Sequence, residues 1–168
     1  MALGKTEEQA AIRKTYLSIA NGKIVYNNGK DKPTYYSFCE GVLEGIYQRE
    51  RNFSGEKVSR WYIDIRDGEQ IYSICLSYGS GTFKSIVLAL ASEESLNSST
   101  PIRIEPYERG GYTKIKVYAD GVKLDWVTKE LPEVREIEIG GRKVKDDSKR
   151  MEFIYSLCKT INERISNK

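Results

Sequence analysis

Asn21-Gly22, Asp67-Gly68, Gly110-Gly111, Asp120-Gly121 and Gly140-Gly141 cut the chain into short runs in which apolar and polar residues alternate. Such pairs supply the positive φ of tight turns between antiparallel strands, and alternation with period two marks a strand with one wet face. A chain punctuated this way is largely confined to β architecture built from local hairpins. The expected elements are a hairpin over 14–27 and a loop over 28–34. A long strand over 40–53 follows, with Gly41 and Gly45 marking a bend, and then strands over 58–66 and 69–78. At 79–82 the period changes: Phe83, Ile86, Val87 and Leu90 fall on one face of a helix, with Ser80 or Thr82 as cap. Strands at 101–107, 111–119 and 122–127 come next. A last hairpin turns at Gly140-Gly141, and a final helix carries the stripe Met151, Ile154, Tyr155, Cys158, Ile161 and Ile165. Residues 1–13 read as a polar, loosely helical lead-in.

The 168 residues suit one domain with a core of its own: a central unit over 40–119, an N-terminal hairpin over 14–27, and a hairpin and helix over 133–166. No run nears the ~18 apolar residues of a membrane helix. The N-terminus lacks the apolar stretch of a secretion signal, and the three cysteines form no CxxC pair. These features read as cytoplasmic, with no disulfide framework and no structural zinc. The absence of histidine removes Ser-His-Asp and Cys-His hydrolases and most zinc catalysis, so the chain is expected not to be an enzyme and to need no cofactor. Net charge is +3 and tyrosines number 12, so the placement of these groups matters more than their totals.

Alternation divides each strand into two faces. Over 111–119, Thr113, Ile115, Val117 and Ala119 form the core side, leaving Tyr112, Lys114, Lys116 and Tyr118 to solvent. Opposite Trp61, Ile63 and Ile65 stand Arg60, Tyr62, Asp64 and Arg66. Opposite Ile102 and Ile104 stand Arg103, Glu105 and Tyr107. The long strand adds Tyr47, Arg49 and Arg51. Tyrosines interleaved with cations match single-stranded nucleic acid, whose bases offer rings to stack and whose phosphates need neutralising. The expected binding set is Tyr47, Arg49, Arg51, Arg60, Tyr62, Arg103, Tyr107, Tyr112, Lys114, Lys116 and Tyr118, with Lys84 reaching a phosphate from the helix start. A tyrosine-rich protein-contact face accounts for the same residues.

The order strand, strand, strand, helix, strand, strand over 40–119 is that of an OB-fold: a mainly β, five-stranded barrel with a helix between strands 3 and 4, here with extra hairpins and a C-terminal helix. With its outward tyrosines and cations, this stretch resembles the OB-fold single-stranded-DNA-binding proteins of phages and mobile elements. That resemblance implies largely sequence-independent binding of single-stranded DNA in replication or recombination, with replication proteins as possible partners. The chain ends Ser166-Asn167-Lys168, without the acidic tail common in the bacterial members. The alternative is a structural or protein-interaction β-module without nucleic-acid binding.

Other motifs carry less. Residues 79–85 lack both glycines of a phosphate loop. Trp61 and Trp126 follow apolar alternation and are expected in the core. Asp64 and Asp67 would need distant partners to hold a metal for a carboxylate nuclease.

Overall fold

The computed structural model describes residues 14–29 and 32–166, apart from the side chains of Arg51 and Phe53; the lead-in at 1–13 lies outside the described residues. The strands are β1 (Lys14–Ala20), β2 (Lys23–Tyr26), β3 (Thr34–Tyr36), β4 (Cys39–Phe53), β5 (Glu56–Asp67), β6 (Gln70–Ser77), β7 (Pro101–Arg109), β8 (Tyr112–Ala119), β9 (Val122–Lys123), β10 (Arg135–Ile139) and β11 (Arg142–Asp146). The helices are α1 (Gly81–Ala91) and α2 (Ser148–Ser166). Nine strands form one mixed sheet, in the order β3-β2-β1-β6-β5-β4-β7-β8-β9, and β10-β11 is a separate ribbon.

The expected five-stranded barrel is therefore replaced by a larger open sheet. In the row β6-β5-β4-β7-β8, closure would require β6 and β8 to pair. Instead the free edge of β6 is taken by β1, which runs parallel to it from Lys14↔Ile71 to Leu17↔Ile74. Counted along the whole chain, no helix stands between the third and fourth strands; α1 lies between β6 and β7, the third and fourth strands of the 40–119 unit. The β1-β2 turn does reach the far end of the sheet, where Gly22 N–H donates to Thr113 Oγ1 (3.1 Å). Residues Asn21 and Gly22 take φ of 52° and 74°, as a tight Asn-Gly hairpin turn requires. A side chain on Gly22 would place its Cβ 2.8 Å from the Glu108 backbone nitrogen, so only glycine lets the two hairpin tips meet.

One sheet face holds the core. Trp61, Ile63, Ile65, Ile74, Leu76, Ile102, Ile104, Val117 and Ala119 form one buried cluster with Phe83, Ile86, Val87 and Leu90 of α1 and Ile154, Cys158, Ile161 and Ile165 of α2. Ser80 caps α1 by accepting from Phe83 N–H (3.2 Å). The helix is buried on several sides because sheet, α2 and the chain after β9 all pack on it, the last through Val127 N–H to Leu88 O (2.9 Å). Arg164 of α2 donates to the carbonyls of Ala91 and Glu93 at the end of α1, where the free carbonyls attract a cation. Trp61 stacks on Phe83 with ring centroids 4.5 Å apart.

Two local expectations change. Trp126 is 42% exposed, because β9 ends at Lys123 and the chain leaves the sheet before the tryptophan. Tyr155 lies on the open flank of the α2 stripe and is exposed. In β4 the register shifts between Leu43 and Gly45. This bulge moves the core-facing residues from odd positions (Gly41, Leu43) to even ones (Ile46, Gln48), and coils the long strand.

Candidate functional site

The face of β7-β8-β9 opposite the core carries most of the charge of interest. Cross-strand partners are Arg103↔Tyr118, Glu105↔Lys116, Tyr107↔Lys114, Arg109↔Tyr112 and Tyr118↔Lys123. Because side chains alternate along a strand, burying Ile102, Ile104, Val117 and Ala119 turns this whole set outward. Lys116 Nζ sits 5.0 Å from the Tyr107 ring centre. Tyr112 is 72% exposed. Glu105 is the one anion in the set, and Arg103 lies 3.9 Å from it. Six expected residues, Arg103, Tyr107, Tyr112, Lys114, Lys116 and Tyr118, thus share one surface. Arg109 and Lys123 join them. Arg109 was legible from its place beside the Gly110-Gly111 turn; Lys123 was not, since its alignment depends on the short β9 ladder.

Tyr47, Arg49, Arg60 and Tyr62 form a second group on the same side of the sheet. Pairing of β4 with β7 ends at Val42↔Pro101, so these residues lie past the last rung that links them to β7. Tyr47 stacks on Tyr62 (5.4 Å, 14° between planes), and Tyr16 meets Tyr62 edge-on. Lys14 and Arg49 lie over the Tyr47 ring at 5.1 and 5.2 Å. Lys14 Nζ donates to Tyr47 OH (3.0 Å) and pairs with Asp64 (2.8 Å), while Tyr47 OH donates to Asp64 Oδ1 (3.2 Å). The Asp64 and Tyr47 hydrogen bonds raise the Lys14 pKa to about 12. Tyr62 is only 3% exposed, so it is a packed ring and not a stacking platform. It was expected outside because alternation cannot reveal that Tyr16 and Tyr47 would cover that face. Asp64 is buried for the same reason.

One expected residue falls elsewhere. Lys84 is in the first turn of α1, which packs on the core side of the sheet, away from the outward stripe. The Arg51 side chain lies outside the described residues, although its backbone pairs with Val58. Asp64 and Asp67 point to opposite faces of β5, against a shared metal. Among the described residues, no three His, Cys, Asp or Glu side chains converge as a metal site.

Sequence reading missed the aromatic run Tyr35, Tyr36 and Phe38, which it passed over between loop and strand. Tyr36 and Phe38, with Tyr26 and Tyr72, line a cavity of about 700 Å³ whose wall also includes Leu17, Cys39, Glu40, Asp67 and Gln70. A smaller cavity of about 300 Å³ is lined by Glu40, Arg103 and Tyr118 on the outward stripe. Glu40 borders both. Arg103 links them again, since it lies 4.1 Å over the Phe38 ring and pairs with Glu40 (3.1 Å). No protein-family model, curated protein or solved structure matches the chain. No helix among the described residues is long and apolar enough to cross a membrane.

Proposed function

We propose that the protein binds single-stranded DNA in the cytoplasm, largely without regard to sequence, and does so by occupancy and not by catalysis. The observation that carries this reading is the outward face of β7-β8-β9, where three tyrosines alternate with five cations around one carboxylate, Glu105, with Glu40 of β4 paired to Arg103 at its border. A tyrosine ring stacks on any base, at about 1–3 kcal/mol per base, and the neighbouring cations take the phosphates. A duplex hides its base faces, which favours unpaired strands as the ligand. The track runs along Arg103, Tyr107, Arg109, Tyr112, Lys114, Lys116, Tyr118 and Lys123. The Tyr47-Tyr62 group supports the sheet from behind its own hydrogen bonds, with Arg49 the cation at its edge. Replication or recombination is the process this activity serves.

A protein-contact module is the second reading, favoured by the β10-β11 ribbon. It stands apart from the main sheet and exposes Ile137, Ile139 and Val144, and an isolated two-stranded ribbon is marginal in water.

Fluorescence polarisation with labelled oligo-dT, duplex DNA and RNA at low and moderate salt separates the two. The expected result is binding of oligo-dT above duplex, weakening as salt rises. No binding of oligo-dT at low salt overturns the proposal.

A further inference from the structure

From the cavity beside β3 we infer a base-specific pocket: it takes one base of the bound strand, with preference for a base whose edge offers adjacent N–H donors, guanine above all. This rests on the strand-binding reading and adds a specificity site to it.

A volume of about 700 Å³ lies within the range of small-molecule sites and admits a base with its sugar. The walls suit a flat ring. Tyr26, Tyr36, Phe38 and Tyr72 line the space, while Tyr36 and Phe38 remain exposed, so an inserted ring would cover aromatic surface that water now touches.

The polar groups set the choice of base. Asp67 makes no side-chain hydrogen bond or ion pair among the described residues, and Gln70 spends its amide on Thr15 Oγ1 (2.5 Å), leaving its carbonyl as an acceptor. The wall therefore presents oxygen acceptors. Guanine offers N1–H and N2–H₂ side by side to a carboxylate. Thymine offers one N–H between two carbonyls, which an anionic carboxylate repels. Cytosine and adenine, with one amino group each, fall between.

Continuity supplies the route. The smaller cavity on the outward stripe and the larger one share Glu40 as a wall residue, and Arg103 sits on both Glu40 and Phe38. A strand whose phosphates follow Arg103 would reach the pocket at its Phe38-Glu40 wall.

The test compares labelled oligo-dT with the same oligomer carrying one central dG. Wild type is expected to bind the dG oligomer about tenfold more tightly, the discrimination of one good two-pronged base contact. Asp67→Asn and, separately, Tyr36→Ala should cut that advantage below about twofold while the melting temperature stays unchanged. Equal affinity of wild type for both oligomers, or an advantage that survives Asp67→Asn, overturns the pocket alone. Loss of binding to both oligomers in wild type overturns the strand-binding reading and the pocket with it.

Discussion

Asn162 of α2 does for β4 what a neighbouring strand would do. Past Val42, β4 has no β7 partner, so the backbone of Ile46 faces away from β5 with nothing to pair. The Asn162 amide fills the gap at both ends: Ile46 N–H donates to its Oδ1 (2.9 Å), and its Nδ2 donates to Ile46 O (2.8 Å). Ile46 itself is buried in the core. Asn162→Ala strands one donor and one acceptor, each costing about 1–3 kcal/mol when left unsatisfied and screened from water. Allowing for water reaching the half-exposed side of α2, the loss should be about 2–4 kcal/mol, which for a chain of this size lowers the melting temperature by roughly 5–15 °C. Asn162→Leu keeps the branched heavy-atom skeleton and discards the hydrogen bonds, so it should lose nearly as much. Urea and thermal unfolding followed by circular dichroism measure both. A loss under about 0.5 kcal/mol in either variant would show that the amide pairing does not hold β4 in place.

Other consequences are local. Gly41→Ala would set its Cβ 2.4 Å from the Arg66 carbonyl oxygen and should cost about 1–3 kcal/mol or more by overpacking. Gly45→Ala, whose nearest neighbour is 3.9 Å away, should be nearly neutral in the same unfolding assay, and equal effects would refute the close crossing at Gly41. Burial pushes the Cys39 and Cys158 thiols up to about 12, so neither carries thiolate near neutral pH. Ellman's reagent should then titrate only the half-exposed Cys75 in the folded chain; rapid reaction of a second thiol contradicts the packing. The Lys14 pKa is raised from 10.5 to about 12, so its bond to Asp64 stabilises fully below pH 10.5 and fades as pH climbs through 12. The stability gap between wild type and Lys14→Met should close across that window, and a constant gap rejects the pairing.

What was legible in the sequence was local. The Asn21-Gly22 turn, the Ser80 cap, the core alternation of Trp61, Ile63 and Ile65, and the split of β8 into a core side and a Tyr-Lys side all depend on neighbours a few residues away. The misreadings depend on distant chain. Nothing near 14–20 announces that β1 will run parallel to β6, yet that pairing leaves the sheet open where a barrel was expected. The same strand brings Lys14 and Tyr16 over Asp64 and Tyr62, burying a tyrosine that alternation alone put in solvent. Lys84 was assigned from a helix N-terminus without knowing which sheet face the helix would cover. The aromatic run at 35–38 was visible as composition, but its meaning came only when β3 folded back to wall a cavity against β4 and β6.

The central claim is that the outward face of β7-β8 is the track for a single strand. Oligo-dT affinity of the Tyr112→Ala/Tyr118→Ala variant, measured beside wild type at one low salt concentration, tests it most directly. Two lost stacking contacts at about 1–3 kcal/mol each should weaken binding at least tenfold, with an unchanged melting temperature because neither ring is part of the buried cluster. Undiminished affinity in a folded variant contradicts the claim.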